Sequence, residues 1–113
     1  MKPSTEVGNE DFNLIVADSI DETVKGLLGQ EVLNALHEHL NNFYHVTREE
    51  LPNHLETLHD ALEKTFGVSW KTIERAIAKT LFVNLNLPFI DRSNMTLLEY
   101  VEMAKTNRSQ HSR

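Results

Sequence analysis

Lys71, Arg75 and Lys79 recur at every fourth position. At that spacing a helix turns all three to one face, and a row of cations suits phosphates or the edges of guanines. The row follows a glycine. The segment Phe66-Gly67-Val68-Ser69-Trp70-Lys71-Thr72-Ile73 reads like the turn of a helix-turn-helix, with Val68 behind the glycine and Ile73 where the second helix packs back on the first. Three residues oppose that reading. Glu63 stands four before Gly67, where closely crossing helices want a small side chain. Trp70 stands near the start of the would-be recognition helix, where polar base-reading groups are expected. The apolar pattern also runs on to about Leu87, past the length of a recognition helix. Two bundle helices joined by a glycine turn explain the same segment, and motifs this short match by chance. Lys71, Arg75, Lys79 and Trp70 are therefore a candidate face for a protein partner first and for nucleic acid second.

The other chemistry-bearing side chains are more scattered. The six histidines are His37, His39, His45, His54, His59 and His111. A helical metal site needs ligands three or four apart. His37 and His39 are two apart and His54 and His59 five apart, so only mixed pairs such as His59 with Glu63 have the spacing. No metal or other cofactor is expected. Their titration near neutrality would give an interface mild pH sensitivity. The carboxylates Asp21, Glu22, Glu49, Glu50, Glu56 and Glu99 fall in expected first helical turns, where they favour the helix dipole. Serines and threonines mostly occupy cap positions, and no glycine loop is built for phosphate. No catalytic residue is assigned, and the chain reads as a non-enzyme. Among the aromatics, Trp70 and Phe89 lie near chain turns and are the candidates for a partner-facing pocket.

The elements that must hold these residues read as helices throughout. Ser19-Ile20-Asp21-Glu22 has the form of a capping box, followed by Ile20, Val24, Leu27 and Leu28 on one face and a Gly29 stop. Gly26 inside that helix either permits a close helix approach or has no special role. A second helix is expected over 30–43, turning Val32, Leu33, Leu36, Leu40 and Phe43 inward. Thr47-Arg48-Glu49-Glu50 is another box, opening a short turn limited by Pro52. Asn53-His54-Leu55-Glu56 caps a third helix with Leu55, Leu58, Leu62 and Phe66 inside, ended by Gly67. Ser69 caps the fourth, striped by Trp70, Ile73, Ile77, Leu81 and Leu85 and broadened by Ala76, Phe82 and Val83. Its wide apolar face marks a central helix or an oligomer interface. Pro88 closes that region. Thr96-Leu97-Leu98-Glu99 opens a last helix with Val101 and Ala104 inside. The strand candidates, 13–17 and 87–90, have no evident partners.

At 113 residues the chain has length for one domain. With 40% hydrophobic residues it can build one core without disulfides, and it has no cysteine to form one. That absence also removes thiolate metal sites and cysteine nucleophiles, and it suits a reducing compartment. The start, Met1-Lys2-Pro3-Ser4-Thr5-Glu6, has no apolar run of a signal peptide. The longest apolar runs, Leu14-Ile15-Val16-Ala17 and Leu81-Phe82-Val83, are too short to span a bilayer, so no membrane partner is expected. A net charge of -6 disfavours whole-surface binding to nucleic acid. The charge is uneven: residues 64–92 carry five bases against two acids, net +3, leaving -9 elsewhere. Such asymmetry suits a local anion-binding face or the contact surfaces of a complex.

The order Ile20, Leu28-Gly29, His39-Leu40, Glu49-Glu50-Leu51-Pro52, Leu62, Phe66-Gly67, Ile73-Glu74 and Leu81 resembles the archaeal Nitrosopumilus output domain family, type five. The resemblance runs from about Ala17 to Leu87. It implies an archaeal, cytoplasmic, all-helical domain that passes a signal by protein contact, alone or fused to a receiver module, and it brings no active-site residues with it.

The expectation is thus an all-α, single-domain bundle of about five helices with short loops. The domain spans 11–105, between loose segments 1–10 and 106–113. Its expected function is a non-enzymatic protein-interaction or signalling output domain whose partner is another protein or, through the fourth helix, a second copy. A helix-turn-helix regulator using the 69–87 helix is the alternative.

Overall fold

The computed structural model describes residues 9–92 and 94–111, with side chains over 11–92 and 94–106. Among the described residues five helices follow one another: α1 (Asn9–Leu28), α2 (Gln30–Tyr44), α3 (Leu55–Phe66), α4 (Trp70–Asn84) and α5 (Leu97–His111). Short 3-10 turns occupy Leu51–Asn53 and Gly67–Ser69. No strand occurs among the described residues, and the all-α bundle holds. Of the expected loose segments, 1–8 and 112–113 lie outside the described residues, while the backbone of 9–10 belongs to α1 and that of 106–111 to α5.

The largest departure is α1, which begins ten residues before the expected cap. Phe12, Val16, Ile20 and Val24, all buried, recur every four residues and lay one stripe against α4 and α2. The strand candidate 13–17 is part of this stripe: Val16 and Ala17 enter the core while Leu14 stays 53% exposed. Ser19 is not a cap. Its hydroxyl donates to the Ile15 carbonyl at 2.7 Å, the back-bond available to serine inside a helix. The same oxygen accepts from Asn84 Nδ2 at 3.0 Å, and Asn84 also reaches Glu22 Oε1 at 3.3 Å. The supposed capping box is instead a polar tie between the middle of α1 and the end of α4.

Gly29 alone joins α1 to α2, at φ 98 and ψ 163. Side chains with a Cβ avoid that region, so the position requires glycine. Gly26 shows no close approach: a Cβ there would meet nothing within 4 Å. Two of the expected boxes form. Thr47 and Glu50 exchange backbone and side-chain bonds of 3.0 and 3.3 Å. Thr96 and Glu99 do the same at 2.9 and 3.3 Å. The Asn53 box does not form; α3 opens from His54, whose carbonyl receives the Thr57 and Leu58 amides. Ser69 makes no side-chain cap bond either, because it lies in the 3-10 turn.

The core gathers Ile20, Leu40, Leu58, Leu62, Ile77, Leu81 and Phe82, all under 2% exposed. The loop from α4 to α5 folds over it. Asn86, at φ 60, lets the Leu87 amide return to the Phe82 carbonyl at 2.9 Å, which ends α4. Further on, Tyr100 Oη accepts from the Arg92 amide at 2.7 Å and donates to the Arg92 carbonyl at 2.9 Å. Phe89 stacks against Phe82 and Tyr100 and closes the layer, a covering aromatic and not an exposed one.

Candidate functional site

α4 sits between α1, α3 and α5 and turns Ile73, Ile77, Leu81 and Phe82 inward. Lys71 and Lys79 point outward, but Arg75 is half-buried and pairs with the Asp91 carboxylate of the next loop at 3.0 Å. The cation row is therefore broken at its centre. Lys71 Nζ also lies 5.8 Å from the centre of the Trp70 ring, within cation–π range. Trp70 is half-buried, its ring edge-on to His59 at 4.4 Å. At the turn, Gly67 adopts φ 60 and ψ -139, and Val68 is 90% exposed where a helix-turn-helix would bury it. Glu63 reaches solvent and is not crowded against α4.

Behind Trp70 lies a carboxylate that sequence reasoning did not single out. Glu74 is 3% exposed. One oxygen accepts from the Leu97 amide at 3.0 Å and the other meets His59 Nδ1 at 2.8 Å. The second ring nitrogen of His59 faces Glu63 at 3.7 Å. A histidine–carboxylate pair is half of an acid–base relay, but here the histidine has a carboxylate at each nitrogen. The arrangement joins α3 to α4 and places a negative charge at the start of α5, where the helix dipole favours it. Among the described residues no group of three His, Asp or Glu side chains converges to hold a metal.

A second polar cluster ties α1 to the chain beyond α2. Arg48 bonds Asp18 through Nη2 at 2.6 Å and Asp21 through Nε, while Asp21 also meets His37 Nε2 at 2.7 Å. Asp21 thus lies mid-helix, not in a first turn. The two carboxylates, bonding from Asp21 foremost, hold the Arg48 guanidinium still more firmly charged. The signal was Asp18 and Asp21, three apart on one helix face.

The third feature is the outer flank of α2. Leu33, Leu36 and Leu40 face the core, but Phe43, expected inside, is 71% exposed. It packs on the His39 ring of its own helix, centroids 4.7 Å apart. Leu27 and Val83, also expected to join apolar faces, are 53% and 61% exposed. Between α2 and the end of α3, Val32, Ala35, Leu36, His39 and Phe66 line an open groove of about 430 Å³, with Glu31 at its rim. Below it Tyr44 Oη donates to Asp60 at 2.7 Å, and Lys64 pairs with Asp60 at 3.2 Å. The bond to Asp60 raises the Tyr44 phenol above its ordinary value and lowers the Asp60 carboxyl below its own. Val32, Ala35, His39 and Phe43 form a second stripe at helical spacing, readable once the first is assigned to the core.

No protein-family model matches this chain. No curated protein and no solved structure matches it either. Among the described residues no helix is long and apolar enough to cross a membrane.

Proposed function

We propose that this chain is a non-enzymatic helical protein-interaction domain, of the signalling-output kind, and that its contact surface is the α2–α3 groove with Phe43 at its edge. The observation that carries the reading is Phe43: a large ring 71% exposed, packed on the His39 ring that lines an apolar groove, on a helix that already has a complete core stripe. Exposed aromatics next to a pocket are the usual anchors of protein contacts. The resemblance to the Nitrosopumilus output domain family supports the same function and, with it, an archaeal cytoplasmic setting. Self-association through α4 has less to work with, because the apolar stripe of α4 is in the core and two copies would oppose Lys71 and Lys79.

Phe43→Ser with Ala35→Arg tests the proposal. Both positions are exposed, so the fold should lose no more than about 0.5 kcal/mol per position. Affinity capture with the wild-type chain should retain proteins that the double variant loses. Identical capture profiles from two equally folded baits would defeat the reading. Exposed Lys71 and Lys79 favour one second reading, DNA binding through the 69–87 segment. A complex with mixed-sequence duplex seen by light scattering at low salt, dispersed as salt rises and lost in Lys71→Glu with Lys79→Glu, would establish it.

A further inference from the structure

From the charges around the α2–α3 groove we infer that its occupant is an amphipathic helix of another chain, with Lys or Arg flanking its apolar anchors. The inference rests on the interaction reading above and specifies the partner's chemistry.

The shape fits a helix. From Val32 to Phe43 the stripe spans about 16 Å, or three turns at 1.5 Å per residue. A docking helix presents anchors at i, i+3 or i+4 and i+7 over the same distance. Ala35 is exposed at the middle of the stripe and leaves a dip where a larger residue would fill it. Phe66 lines the groove from the α3 side, and Phe43 packs on the His39 ring that lines it from α2.

The charge selects the partner. α2 carries Glu31 and Glu38 and has neither lysine nor arginine along its whole length. Both acids are exposed, and Glu31 lines the groove. Gln30, Asn34, Asn41 and Asn42, the other exposed polar residues of this helix, add no opposing charge. Across the groove Lys64 is neutralised by Asp60. An approaching helix meets apolar side chains bordered by negative charge. Lys or Arg beside its anchors gains that field, and Glu or Asp pays it.

A second copy of this chain offers basic residues too, in Lys71 and Lys79 of α4. That contact would set α4 of one copy on α2 of the next. Such a head-to-tail contact leaves a free face at each end and propagates into open chains unless it closes into a ring. A separate helical segment meets no such constraint, and it is the occupant assigned.

Two labelled model peptides of about five helical turns, with the same leucine anchors, one flanked by lysines and one by glutamates, are titrated by fluorescence anisotropy. The lysine peptide should bind about tenfold tighter at low salt, and the difference should shrink as salt rises. Glu31→Lys with Glu38→Lys should invert the preference. Equal binding of both peptides, abolished by Phe43→Ser with Ala35→Arg, would overturn the charge inference and leave the groove as a contact surface. No binding of either peptide, or binding indifferent to Phe43 and Ala35, would overturn the interaction reading as well. Particles that grow with protein concentration and vanish on Glu31→Lys with Glu38→Lys would overturn the assignment in favour of a second copy.

Discussion

Replacing Glu74 by alanine should destabilise the bundle by about 3 kcal/mol, and the figure can be assembled from its surroundings. The carboxylate accepts two bonds, one from the buried Leu97 amide and one at His59. Losing the acceptor orphans the Leu97 N–H, at roughly 1–3 kcal/mol. Removing a negative charge from the first turn of α5 costs about 0.5–1 kcal/mol more. The lost methylene packing adds about 1 kcal/mol. His59 contributes little, because its side chain is 33% exposed and water replaces the bond. Relief of the buried charge offsets part of the total. Glu74→Gln keeps an acceptor for Leu97 and should cost only about 1 kcal/mol. Urea unfolding followed by helical circular dichroism and by the emission of Trp70, the single tryptophan, would measure both variants. For a domain of this size the alanine change corresponds to a fall in Tm of about 12–20 °C. A loss below about 1 kcal/mol for alanine, or equal losses for alanine and glutamine, would refute the reasoning; a gain would mean that desolvating the carboxylate outweighs its bonds.

Thr23 is buried with a hydroxyl that has no partner, so Thr23→Val should raise stability by about 1 kcal/mol; a thermal melt unchanged or lowered would contradict this. Gly29→Ala should cost about 1–3 kcal/mol through backbone strain alone, since the Cβ meets no neighbour, and a free-energy change near zero in urea would show that the joint relaxes. The Tyr44 phenol should ionise above 10.0, and Asp60→Ala, which removes the acceptor, should bring it back, as read from phenolate absorbance. Because its folded value is raised, its contribution is full below the unfolded value and lost as pH climbs through the folded one. The Asp60 side has the opposite sense, lost as pH falls through its lowered value.

What the sequence made legible was local. The stripes of α2, α3 and α4 repeat within a few residues, and the Thr47–Glu50 and Thr96–Glu99 boxes each close within one turn. The first half of α1 was hidden because Ser19 and Glu22 match a cap while their actual partner, Asn84, is 65 residues away from Ser19. The aliphatic run at 14–17 looks like a strand until Phe12 and Ile20 fix its helical phase. Glu74 was concealed for the same reason: its partners are 15 residues before it and 23 after it. Phe43 fits the inward pattern of α2 by spacing, and only the placement of α3 decides which flank stays uncovered. The four-residue spacing of Lys71, Arg75 and Lys79 is local, but the pairing of Arg75 with Asp91 comes from a loop without periodicity.

The tie between Ser19 and Asn84 also has a consequence during synthesis. α1 is made first, and the helix it packs against most extensively is completed only after α2 and α3. At roughly 5–20 residues per second, the 65 residues separating Ser19 from Asn84 take about 3–13 s to add. Throughout that interval Phe12, Val16, Ile20 and Val24 have no α4 to cover them. The nascent chain is most open to chaperones, and to misassociation, until α4 is complete. Truncation from the C-terminal side that removes α4 together with α5 should therefore yield aggregating products, while truncation that removes α5 alone should be better tolerated.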